Sequence, residues 1–238
     1  MNNIQDEFIS TVSHELRTPL TSIRGFSQTL LNSWEKLDED SKKKFVHIIE
    51  EQSNRLINLV ENILTVSKMN ADKPIIKAVN VNSSIDKVIQ LLSQKYKEHK
   101  IITQYNSHLP CARLDEEKFQ QIMTNLIDNA CKYSKEGSEI LISTYFADSD
   151  NVLIKVKDEG VGIKSEDLDK IFEKFKRLEN HLTSKTQGNG LGLYITKNLV
   201  ESMDGKISAQ SELEKGSEFS LVFRFFSQEE ALKCSRRS

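Results

Sequence analysis

The chain has 238 residues, 37% hydrophobic and 29% charged, with 33 basic and 35 acidic side chains and a net charge of −2. That balance gives no electrostatic case for nucleic acid or an anionic membrane, and no apolar run approaches the roughly 20 residues of a membrane span. Three scattered cysteines and five histidines without ligand spacing suit reduced thiols in a cytosolic protein better than disulfides or a metal cage. The opening "MNNIQDEF" is no signal peptide.

The first seventy residues read as two helices. Ile9, Val12, Leu16, Pro19, Ile23, Phe26 and Leu30 recur at intervals of three and four, and after a polar connection so do Phe45, Ile49, Gln52, Leu56, Leu59, Ile63 and Val66. Two such stripes of similar length predict an antiparallel α-helical hairpin, and two copies of it predict a dimeric four-helix bundle. With Ile9 as heptad position a, His14 takes position f, away from the seam. Glu15 can orient its imidazole, Thr18 shares its face, and Pro19 removes a helix hydrogen bond at a cost of roughly 3 kcal/mol. His14 therefore reads as a presented nucleophile with partners. A bend at Pro19 is expected to let the two halves of the helix move separately.

From about residue 71 helices and strands mix. "KPIIKAV", "IITQYN", "EILISTYF", "NVLIKVKD", "GKISAQSE" and "GSEFSLVFRFF" read as strands, Asn82 to His99 as a helix, and Asp115 as the cap of a helix running to Ser134. An α+β two-layer sandwich with helices on one face follows. On the helix after Asp115, Asn125, Asn129 and Lys132 form a polar stripe beside an apolar face, a set suited to a phosphate chain and its Mg²⁺. Five of the nine glycines fall in "DEGVGI" and "GNGLGL". The second cluster opens a helical pattern, where backbone N–H groups can approach phosphate oxygens. It fits neither the dinucleotide fingerprint nor a Walker A loop. Residues 172–190, anchored by Phe172 and Phe175, read as a lid loop.

"FISTVSHELRTPLTSIRGF" closely resembles the phosphoacceptor box of two-component sensor histidine kinases, the HisKA type. "NLIDNACKYS", "DEGVGI", "FEKFKR" and "GNGLGL" follow in the order of the N, G1, F and G2 boxes of that family's HATPase domain, which is similar to those of gyrase, Hsp90 and MutL. The resemblance runs from about residue 5 to 226. It implies that His14 takes a phosphoryl group, that Glu15 is general base or orienter, and that Thr18 positions water for dephosphorylation of the partner. It further implies Asn129 on Mg²⁺, Asn125 and Lys132 with ATP, Tyr133 near the nucleotide and Asp158 on the adenine amino group. Gly160 and Gly162 would shape the pocket, Gly188, Gly190, Leu191 and Gly192 would line the phosphates, and Arg177 would reach the γ-phosphate. Asn189 departs from the Thr or Ser usual in the family.

The expected organisation is a dimerisation and phosphotransfer hairpin over 1–70, a catalytic ATP-binding domain of the Bergerat (GHKL) type over 71–228 and a basic tail over 229–238. The expected function is an ATP-dependent protein-histidine kinase passing its phosphoryl group to an aspartate of a separate response regulator, with dephosphorylation of that regulator as a second activity. The expected partners are a second copy of the chain and the regulator's receiver domain, and no nucleic acid. The chain is expected to be the cytoplasmic portion of a membrane-anchored protein. Three other readings stay open: an enzyme acting mainly as phosphatase, a gyrase-type switching ATPase, and a docking module with a degenerate pocket.

Overall fold

A computed structural model describes residues 2–69, 72–176, 178 and 189–226, with side chains from residue 9 onward. The predicted tail and Cys234 lie outside the described residues. One compact unit is the N-terminal hairpin, ending at Lys68, and the second begins at Met69.

In the first unit, helix α1 (Asn2–Ser33) and helix α2 (Glu39–Lys68) are joined by a short 3-10 turn, Trp34–Lys36. Asp38 starts α2 by accepting from the Ser41 amide at 2.8 Å, satisfying one of the donors a helix N-terminus leaves unpaired. The predicted seam residues are buried or half-buried from Val12 onward, and Phe26 stacks on Phe45 with ring centroids 5.1 Å apart. Ile9, at the open end, is exposed. Helix α1 continues through Pro19, whose ring is buried in the seam. Proline there supplies no N–H for the carbonyl of Glu15, four residues back.

Each helix also carries a second apolar line that faces solvent. Ile9, Leu20 and Leu31 lie 11 residues apart on α1, which is three turns. On α2 Val46 and Ile57 repeat that spacing, and Val60 and Leu64 extend the exposed line at intervals of three and four. A single hairpin leaves these side chains in water.

The second unit is a five-stranded sheet under three helices. Strands β2 (Lys100–Tyr105), β4 (Glu139–Phe146), β5 (Asn151–Asp158), β7 (Gly216–Arg224) and β6 (Lys206–Glu212) lie in the order β2-β4-β5-β7-β6. The β2–β4 pair is parallel and the others antiparallel. Strands β1 (Lys77–Val79) and β3 (Ala112–Leu114) pair separately. The register aligns Ile142, Val156 and Phe219, and Ile154 with Leu221, on the face buried under the helices. Helix α4 (Glu116–Tyr133) supplies Phe119, Ile122, Met123, Leu126, Ile127 and Ala130 to that core. Phe119 meets Phe223 edge-on at 6.0 Å. Helices α3 (Val81–Ser93) and α5 (Gly192–Ser202) flank it.

Two predicted elements are shorter than the sequence pattern. Only Lys77–Val79 of "KPIIKAV" is strand, because the amide of Ile75 is taken by the side chain of Asp115 at 2.8 Å and Pro74 has none to give. Helix α3 covers Val81–Ser93 rather than Asn82 to His99. Beyond it the chain turns, so that Lys95 and Tyr96 reach Asp128 on α4. Asp115 does cap α4, accepting from the Lys118 amide at 3.2 Å.

Candidate functional site

On the hairpin, His14 is exposed, and the hydroxyl of Thr18 donates to the carbonyl of His14 at 3.3 Å, one turn away on the same face. Glu15 is placed differently from the sequence expectation. Its carboxylate accepts from Arg55 of α2 at 3.4 Å, and among the described residues it makes no hydrogen bond to the imidazole. Adjacent helical residues point about 100° apart, so Glu15 turns toward the second helix while His14 faces out. Beside His14, Ser13, Leu16, Arg17, Leu20, Thr21 and Arg24 line a shallow groove of about 360 Å³ along α1.

In the second unit the end of β5 delivers Asp158, only 5% exposed. Its Oδ1 accepts two backbone amides, Gly160 at 2.8 Å and Ser217 at 3.2 Å. Its Oδ2 has no protein donor among the described residues. Burial raises the pKa of this carboxyl and the two amides partly restrain it. The result is a fixed carboxylate with one acceptor oxygen left for a ligand.

The glycines around it are required by close approach. A Cβ on Gly160 would lie 2.4 Å from the Tyr133 carbonyl, and Val161 N–H donates to that same carbonyl at 3.1 Å. Gly162 has φ 67° and passes against the carbonyl of Glu212 at the end of β6. Tyr133 itself is half-buried. Gly216, absent from the predicted set, packs on the backbone of Asp158, where any Cβ would collide. Its only sequence signal was a glycine opening a strand.

On α4 the predicted polar stripe divides. Asn125 is tied down: its amide donates to Thr196 of α5 at 2.7 Å, and it packs on Gly192, where a Cβ would lie 2.4 Å from its oxygen. Thr196 was also missed, since a buried threonine inside an apolar helix has no sequence signature. Asn129 is half-buried and has no partner among the described residues. Lys132 pairs with Asp128, which also accepts from Lys95 and Tyr96.

Leu191 is fully buried and precedes α5, and its own apolar side chain makes no capping hydrogen bond to the helix. An uncapped N-terminus leaves backbone donors for an anion. Gly190, with φ 67°, lies against the backbone of Phe175 and Lys176, so the loop that carries Phe175 rests on the glycine turn. Lys174 stacks over Tyr194 at 4.9 Å. Arg177 and Gly188 lie outside the described residues.

A buried acid among glycines, an uncapped helix start and an unpartnered amide define an α/β nucleotide-binding domain, in one chain with a histidine-bearing helical hairpin. Residues 4–72 match the His Kinase A (phospho-acceptor) domain, and residues 114–226 match the histidine kinase-, DNA gyrase B- and HSP90-like ATPase family. The chain belongs to the two-component sensor histidine kinases. It is 33% identical to the signal transduction histidine-protein kinase ArlS of Staphylococcus haemolyticus over 224 residues, 93% of this chain and 49% of that one. It is 33% identical to the sensor protein SrrB of Staphylococcus aureus over 92% of this chain and 38% of that one. The chain thus spans about half or less of these curated relatives. Among solved structures, the Acinetobacter baumannii histidine kinase AdeS matches with TM-score 0.70 and 25% identity over 90% of this chain and 98% of that chain. Full-length ShkA in complex with AMPPNP matches with TM-score 0.67 and 29% identity over 93% of this chain and 46% of that one.

Proposed function

We propose that the chain is the catalytic part of an ATP-dependent protein-histidine kinase that phosphorylates its own His14. The observation that carries this is Asp158, whose Oδ1 is held by two amides while Oδ2 stays open as the acceptor for an exocyclic adenine amine. In the reaction the bond between the γ-phosphorus and the β–γ bridging oxygen of ATP breaks and a ring nitrogen of His14 bonds to phosphorus. ADP leaves, and the ring proton passes to solvent, or to Glu15 once its carboxylate turns from Arg55 toward the imidazole. Lys132 and the start of α5 receive the phosphate chain, with Gly188 and Arg177 assigned to it from the sequence. Such transfer depends on positioning and charge stabilisation more than on covalent chemistry by the protein.

The residues fit Mg²⁺. Among the described residues no His, Cys, Asp and Glu cluster could hold a metal alone, but a hard cation shared with phosphates needs few protein oxygens. The half-buried, unpartnered amide of Asn129 is a suitable donor. When bound, the ion would offset charge on the phosphate oxygens.

Two hairpins would pack their exposed apolar lines together as a four-helix bundle, giving a homodimer. The phosphohistidine would then pass to an aspartate of a response regulator, which would dock along the faces flanking His14, the groove of Arg17 and Arg24 among them. The ThkA kinase, similar in fold with TM-score 0.74 and 23% identity, was solved in complex with a response regulator. Thr18 would position water for dephosphorylation of the regulator. No helix of the described residues is long and apolar enough to cross a membrane. The domains 1–70 and 71–228 would form the cytoplasmic portion of a membrane-anchored protein, a reading supported by the greater length of the sensor-kinase relatives.

The test is incubation with Mg-[γ-³²P]ATP, comparing wild type with His14→Gln. Acid-labile, alkali-stable label on wild type alone is expected. An unlabelled wild type that still binds ATP overturns the autokinase reading.

A further inference from the structure

A carboxylate that the sequence motif leaves without a role lies next to Asn129 and pairs with Lys132, the residues given to Mg²⁺ and phosphate under the proposed function. Asp128, on α4 beside Asn129, has its side chain only 17% exposed and is surrounded by donors from α4 itself and from the turn after α3. Oδ1 accepts from the Tyr96 hydroxyl at 2.5 Å and from Lys95 Nζ at 2.7 Å, and Oδ2 pairs with Lys132 Nζ one turn along α4. Lys95 also covers the Tyr96 ring at 4.8 Å. Burial alone would raise the Asp128 pKa, but the nearby ammonium of Lys132 and the hydrogen bonds from Lys132, Lys95 and Tyr96 hold it below the usual carboxylate value.

An ordinary aspartate–lysine pair on a helix surface is two mobile chains in loose contact. This one differs because the acid is already immobilised from the other side. We infer that Asp128 is a positioning residue that acts through Lys132, anchored by Tyr96 and Lys95 so that the lysine ammonium is presented to the phosphates of the bound nucleotide. An ammonium has three N–H donors, and one bond to Asp128 leaves two for phosphate oxygens. Lysine's long stem otherwise loses much rotamer freedom when it binds an anion, and a fixed carboxylate removes part of that loss beforehand. The inference rests on the nucleotide-binding reading of this domain.

The experiment is calorimetric titration of the protein with Mg-ADP for wild type, Asp128→Asn, Lys132→Met and the double variant, with circular dichroism and thermal melts as folding controls. Immobilising one such side chain is worth a few-fold in affinity, so Asp128→Asn is expected to bind ADP about fivefold more weakly. In the Lys132→Met background the same substitution is expected to change nothing, which a merely structural aspartate would not reproduce. Tyr96→Phe, which removes only the anchoring hydroxyl, is expected to weaken binding in the same direction and by less. Equal loss in both backgrounds, no loss, or tighter binding by Asp128→Asn overturns the inference while leaving the nucleotide site intact. A folded wild type that binds no ADP overturns the nucleotide reading and this inference with it.

Discussion

Burial and hydrogen bonding pull in opposite directions at Asp158. Burial raises the carboxyl's pKa, and the amides of Gly160 and Ser217 favour its ionised form. Because the folded pKa lies above the unfolded one, ionised Asp158 costs stability. That cost is absent below the unfolded value and grows as pH rises toward and through the folded value. Ligand binding has the opposite demand, since a proton on Oδ2 would turn the acceptor toward adenine into a donor. Affinity for ADP should therefore fall on acidification, beginning above the usual carboxylate range, as calorimetry across pH would reveal. Asp158→Asn should abolish that pH dependence and, at neutral pH, weaken ADP binding roughly tenfold or more, the worth of a hydrogen bond to a charged group. Unchanged affinity would remove Asp158 from the adenine site.

Among the elements, α5 separates propensity from packing. Gly192 opens the helix, and alanine is the better helix former by roughly 1 kcal/mol. Yet a Cβ there would lie 2.4 Å from the Asn125 oxygen, displacing the residue that binds Thr196. Contact should win: Gly192→Ala should lower the melting temperature and weaken nucleotide binding, whereas a raised melting temperature with binding intact would show that Asn125 relaxes without cost. The sequence marked this glycine through its cluster and α4 through its apolar period and Asp115 cap. It did not show that Asn125 faces α5, because a polar residue at the edge of an apolar face can meet a ligand or another helix with the same spacing. Glu15 is a parallel case on the hairpin, where adjacency to His14 in sequence became a contact with Arg55 in space.

At the scale of the whole molecule, the hairpin carries more apolar surface than one seam consumes. Ile57, Val60 and Leu64 remain exposed on α2. Burying such a side chain is worth roughly 1.5–3 kcal/mol, so a charge placed there should oppose association. Ile57→Glu with Leu64→Glu should convert a dimer to a monomer by light scattering. ADP affinity should be kept, because Asp158, Asn129 and Lys132 all belong to the second compact unit. Loss of both properties together would argue against separate roles for the two units. The sequence by itself determined the helical hairpin, the exposed histidine with its following acid and threonine, the mixed sheet domain and the ordered glycine and asparagine motifs. Each of these is written in local periodicity or in residue types that only a few backbone shapes require. The tertiary structure alone decided which polar groups are consumed and which stay open. Asn125 and Glu15 found protein partners, while among the described residues Asn129 and Oδ2 of Asp158 did not, because a hydrogen bond between residues 40 or 71 positions apart leaves no trace in local spacing.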